Sequence, residues 1–133
     1  MIHIKEQVSF WLKSAAYDWL VTKQLFEKKS YAHSLFFAHL VLEKQLKALF
    51  VKKNRETAPY KHNLVMLAEK CRLRLSEDQE KLLEEVSDFN LEARYPDYKF
   101  SFKKKCTMAF TRRYLTEIEV FLKWLKKEHL LKK

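Results

Sequence analysis

The chain has 133 residues, no glycine and two prolines, and its 27 Lys and Arg against 17 Asp and Glu give a net charge of +10. The length fits one domain, residues 1–133. Without glycine, the phosphate loops of P-loop ATPases and Rossmann enzymes are excluded, and a sheet of tight hairpins is hard to build. The 47% hydrophobic and 14% aromatic content excludes a disordered chain. The cationic excess favours polyanions or nucleotides as ligands. Because the charge is scattered along the chain, it reads equally as a soluble Lys/Glu-rich surface.

The first helix is expected from about Ile4 to Lys28. Ile4, Val8, Trp11, Ala15 and Trp19 recur at threes and fours, Thr22 interrupts the stripe and Phe26 resumes it. Ser30 caps a second helix running to about Lys53. It is apolar nearly all round from Leu35 to Leu42, the pattern of a central helix buried on several sides. Residues 54–61, with Pro59, form a loop.

A short third helix, about Asn63 to Arg72, turns Leu64, Leu67 and Ala68 inward. Ser76 and Gln79 form a capping box for a fourth, about Glu77 to Ala93, with Leu82, Leu83, Val86, Phe89 and Asn90 inside. Tyr95 precedes Pro96 and is driven towards extended geometry, which stops that helix near Arg94. A fifth helix, about Phe102 to Leu130, carries Phe102, Cys106, Phe110, Tyr114, Ile118 and Leu122 four apart. Short loops between long amphipathic helices imply an all-α, up-and-down bundle of four long helices plus one short helix. Trp11, Trp19, Phe36, Phe37 and Trp124 exceed what one small bundle buries and point to a dimer face.

Cys71 and Cys106 lack paired-ligand spacing, so neither a disulfide scaffold nor a zinc site is expected. The N-terminal stretch has charges inside its apolar pattern and no signal-peptide core, and no apolar run reaches transmembrane length. The expectation is a cytoplasmic protein without cofactor or metal.

His39, Glu43 and Lys47 stand four apart on one strip of the second helix. They read as an ion-pair ladder inside a bundle or interface, or as groups that orient a nucleotide or transfer a proton. His39 with Glu43 offers two metal ligands, and no His-Glu-x-x-His completes a site. His62 opens the third helix, within reach of an anion or as a packing cap. In FNLEARYPDYKFSFKKKC, Arg94 ends one helix and Pro96 fixes the turn. Lys103, Lys104 and Lys105 then open the next helix. Three cations at a helix start oppose the macrodipole, a conflict that a bound phosphate would resolve. Arg94, Lys99, Lys103 and Lys104 are therefore the expected phosphate contacts, with His39, Glu43, Lys47 and His62 as supporting polar residues.

The motifs run in a recognisable order: Trp11 with Ala15 and Asp18, LEKQLKAL at 42–49, HNL at 62–64, EARYPDY at 92–98, and FTRRYLTEIEVFLKWL in the last helix. In that order the chain resembles the HEPN family. The resemblance implies an up-and-down helical bundle that usually dimerises. It also implies a role beside a minimal nucleotidyltransferase in a toxin–antitoxin module, or a metal-independent ribonuclease built on Arg-x4-6-His. With Arg94 as the motif arginine, Lys99, Phe100 and Ser101 hold the positions where that histidine is expected. The resemblance thus leads to a nucleotide- or RNA-binding homodimer with a nucleotidyltransferase partner. A ribonuclease toxin using Lys99 or His62 as substitute acid/base is one alternative, and a structural helical partner without ligand is another.

Overall fold

The computed structural model describes residues 3–131, which are all-α with no strand among them. The four long helices are α1 (Ile4–Glu27), α2 (Tyr31–Asn54), α4 (Glu77–Arg94) and α6 (Met108–Leu125). Two short ones, α3 (Leu64–Lys70) and α5 (Ser101–Lys105), sit between them, and a π-helical turn, Lys126–Leu130, prolongs α6. The result is the up-and-down bundle expected from the helical periodicity.

Helix α2 is the axis. Leu35, Leu42, Leu46 and Leu49 on it are fully buried, and α1, α3, α4 and α6 all pack against it. Each such leucine contributes about 1.5–3 kcal/mol of burial. The α1–α2 pair is pinned by polar contacts as well. Lys44 donates to Asp18 at 2.6 Å and to Ser14 at 2.7 Å, Thr22 donates to the Asp18 carbonyl, and Ser34 to the Thr22 carbonyl. The polar interruption in the α1 stripe is thus a buried, fully bonded seam. On α3 and α4 the inward residues are those the pattern marks. At the far end Lys52 donates to the carbonyls of His129 and Leu130, tying the π turn to α2.

Two expectations need correction. Ser30 is the N-cap residue of α2, but its hydroxyl makes no cap bond. The fifth helix is broken: Cys106 (φ −79°, ψ 74°) makes an inverse γ-turn, closed by the Thr107 amide on the Lys105 carbonyl at 2.9 Å. Thr107 then caps α6 by accepting from the Phe110 amide. The four-residue stripe survives the break because Phe102 and Phe110 both pack on Phe89, with ring centroids 5.4 and 5.8 Å away. The five aromatics expected in excess, Trp11, Trp19, Phe36, Phe37 and Trp124, are half-buried. The exposed ones are Phe10, Tyr17, Tyr60, Tyr95, Tyr98 and Phe100.

With no glycine to use, the backbone turns left-handed on bulky residues: Lys29, Arg55 and Arg72 after α1, α2 and α3, and Phe100 before α5, all have positive φ. Lys29 and Arg72 close Schellman motifs, in which Ser30 donates to the Leu25 carbonyl and Leu73 to the Ala68 carbonyl. Arg55, at φ 55°, ends α2 with its amide on the Val51 carbonyl. A side chain in that conformation costs about 1–2 kcal/mol, part of which glycine would return as chain entropy. Arg55→Gly is expected to raise stability by about 0.5–1 kcal/mol. Urea denaturation checks this, and an unchanged or lower midpoint would show that the turn is not strained.

Candidate functional site

Two groups of polar residues emerge. The first is centred on Glu43, whose side chain is buried. Lys47, one turn on, donates to Glu43 Oε2 at 3.0 Å. His62, delivered by the loop before α3, donates from Nδ1 to Glu43 Oε1 at 2.9 Å. Lys47 also stands 5.2 Å from the Trp11 ring, so α1 supplies the other wall. The carboxylate therefore has one partner on each oxygen, as a buried charge requires.

His39 completes the group. Its Nε2 lies 2.9 Å from the His62 carbonyl, an acceptor, so Nε2 carries the proton. Its Nδ1 is buried without a hydrogen-bond partner, 4.0 Å from Glu43 Oε1. Burial lowers its pKa and outweighs the raising effects of the His62 carbonyl and the Glu43 charge. The charges of His62 and Arg94 push the same way as burial. His39 is accordingly a neutral ring that holds the loop carrying His62.

His62 differs: its side chain is 56% exposed. With Nδ1–H engaged by Glu43, Nε2 is the nitrogen left to exchange a proton with a ligand. A carboxylate fixing the tautomer of an accessible histidine is a general acid/base arrangement. The strip of His39, Glu43, Lys47 and His62 is thus one connected cluster, and the Arg94 charge adds a small lowering effect on His39.

The second group is the turn after α4. Arg94 and Lys99 are exposed, each over a neighbouring ring: Arg94 5.5 Å from Tyr95 and Lys99 5.8 Å from Tyr98. Tyr95, Tyr98 and Phe100 are themselves exposed, at 69%, 86% and 54%. Lys103 and Lys104 follow on α5, both exposed. They do not open a long helix. Because the chain breaks at Cys106, Lys103, Lys104 and Lys105 form the last turn of α5, where the macrodipole favours cations. The start of α5 is served by Asp97, whose Oδ1 accepts from the Ser101 amide at 2.9 Å. Those bonds, chiefly from Ser101, hold the Asp97 carboxyl below its usual range. The macrodipole conflict inferred from the sequence is therefore absent, and the case for the lysines rests on their exposure and grouping.

Helical periodicity does not reveal the aromatic content of this turn, because Tyr95, Tyr98 and Phe100 fit no helical period. Their signal is the reverse one: large apolar residues clustered beside a proline, outside any stripe. The thiols take no part. Burial pushes Cys71 up to about 11 and Cys106 to about 12, so both stay protonated and unreactive at neutral pH. Among the described residues no three His, Cys, Asp or Glu are placed to hold a metal ion, and no helix is long and apolar enough to cross a membrane.

The protein is thus a helical bundle with a buried carboxylate–histidine cluster and a basic, aromatic turn. The family model for the HEPN domain matches residues 8–129, nearly the whole chain, and the protein belongs to that family. Comparison with curated proteins and with solved structures gave no match. Membership supports a nucleotide- or RNA-related function.

The buried ring of His39 makes stability pH-dependent. Its unfolded pKa is near 6.5 and its folded value lies lower, so the stability it contributes is complete above 6.5 and is lost as the pH falls through the folded value. Urea midpoints are expected to drop as the pH is lowered from 6.5, and to drop less in His39→Gln. Equal slopes in the two proteins would place the acid sensitivity elsewhere.

Proposed function

We propose that this HEPN protein binds nucleotides or RNA through the turn that follows α4, with Arg94, Lys99, Lys103 and Lys104 as its phosphate contacts. It acts as a homodimer with a minimal nucleotidyltransferase partner in a toxin–antitoxin-like module. The observation that carries the binding reading is the alternation of exposed Tyr95, Tyr98 and Phe100 with Arg94 and Lys99. Bases stack on such rings for about 1–3 kcal/mol each, whatever their sequence, while the cations track the backbone. The homodimer draws support from the exposed Phe10, Tyr17 and Leu20 on one stretch of α1. Light scattering is expected to give twice the 16.2 kDa chain mass, and a monomer at every concentration would end that part of the reading.

Arginine suits the leading role because its planar fork binds phosphate through two donors at once. A charge-assisted contact is worth about 1.5–3 kcal/mol, so Arg94→Ala should weaken binding of a short RNA about ten- to a hundredfold. Lys104→Ala should cost less and mainly reduce the salt dependence. Calorimetry at two salt concentrations measures both. Equal affinity in Arg94→Ala and the parent would reduce the turn to solvated surface.

The pairing of His62 with Glu43 favours a second reading, a metal-independent ribonuclease. The family's Arg-x4-6-His pattern has no histidine after Arg94, and His62 is the substitute with an oriented ring and an accessible nitrogen. In this reading His62 Nε2 takes the ribose 2′-hydroxyl proton and Arg94 steadies the phosphate. Cleavage of RNA in the presence of a chelator, abolished by His62→Ala, would establish it. Intact RNA after prolonged incubation with the parent leaves the protein a binder.

A further inference from the structure

A cleft of about 620 Å³ opens between the α1–α2 turn and the segment joining α4 to α5. Its volume lies within the ordinary range of small-ligand sites. One wall is Lys29, Ser30, Tyr31 and His33, and the facing wall includes Pro96, Phe100 and Lys103. Only Lys103 belongs to the phosphate contacts named above. Lys29, His33 and Lys103 come from three different elements, and the single acid in the lining is Glu92. Flat rings, Tyr31 and Phe100, stand with these cations, while Phe102 and Cys106 close the interior as buried apolar residues.

The lips are set by the backbone. Lys29 and Phe100, one on each side, are two of the four residues held at positive φ. The Schellman closure of α1 fixes the first, and the Asp97 hydrogen bonds at the start of α5 fix the second. The hydroxyl of Ser30 makes no helix cap, and α2 has no acidic residue in its first turn to neutralise the cations. A ligand matched to this lining has a flat aromatic body, an anionic end for Lys29, His33 and Lys103, and an amino group within the scope of Glu92.

We infer that this cleft binds a nucleoside monophosphate, either free or as the phosphorylated end of a single strand lying along the Tyr95–Phe100 turn. The strand-end form rests on the RNA-binding reading; the free form does not. In either form Lys29 and His33 read the phosphate, and the exposed ring of Phe100 is shared between turn and cleft.

The test compares a short RNA carrying a 5′-phosphate with the same RNA ending in a hydroxyl, by fluorescence anisotropy, and AMP with adenosine, by calorimetry. A strand end in the cleft gives about tenfold tighter binding of the phosphorylated RNA, and the Lys29→Ala/His33→Ala double variant brings that ratio close to one. Free mononucleotide in the cleft gives AMP binding that adenosine does not reproduce and that the double variant loses. Arg94→Ala weakens both RNAs alike and leaves their ratio. The inference is overturned if the parent prefers neither the phosphorylated strand nor AMP, or if the preference persists in the double variant. Failure of both RNAs to bind, with AMP still bound, would remove the RNA reading and keep the cleft. Binding of both RNAs with equal affinity and no AMP binding would do the opposite.

Discussion

A carboxylate in the middle of the most buried helix must be neutralised where it stands, and much of this bundle is arranged around that need. Glu43 is almost entirely buried. Lys47 reaches it from the same helix, and His62 reaches it from a loop remote in sequence. Removing one partner from such a pair leaves an uncompensated charge and costs about 3–5 kcal/mol. The consequence is positional. The loop before α3 cannot drift, because His62 is held by Glu43 through its ring and by His39 through its carbonyl. Lys47 in turn lies against Trp11, so the same charge ties α1, α2 and the loop together.

The absence of glycine acts on the other side of the ledger. Lys29, Arg55 and Arg72 accept left-handed backbone where α1, α2 and α3 end, and Phe100 accepts it where α5 begins. A side chain at each of those points has a fixed origin instead of a mobile one. Two of the four, Lys29 and Phe100, face the cleft beside α5. A glycine at either position would relieve the backbone and remove a functional group from the lining.

The long helices were legible because their apolar residues follow one period and their burial follows the period. Leu82, Leu83, Val86, Phe89 and Asn90 illustrate this on α4, where the inward face can be read residue by residue. The capping box at Ser76 and Gln79 was equally plain, since both bonds are local. The break at Cys106 was not, because a stripe of residues four apart continues across it. A one-turn helix followed by an inverse γ-turn returns Phe110 to the same side as Phe102, and Phe89 receives both. The link from Glu43 to His62 was out of reach for another reason. It joins residues 19 apart in sequence, and no local rule selects which polar residue a buried carboxylate will find.

The same break changes what the lysines mean. At the start of a long helix, three cations would have demanded an anion. At the end of a short one they are stable alone, and Asp97 already satisfies the start. In the proposed binding reading, phosphate recognition at this turn depends on what the lysines stand beside, which is a set of exposed aromatic rings. Tyr95, Tyr98 and Phe100 all remain exposed around the Pro96 turn, and Phe100 does so on left-handed backbone. Rings presented in this way, with a guanidinium and an ammonium over two of them, form a surface matched to stacked bases on a charged backbone. His62, by contrast, is tied to the interior through Glu43. In the ribonuclease reading, Arg94 on the exposed turn has to meet a histidine that the buried carboxylate holds in place.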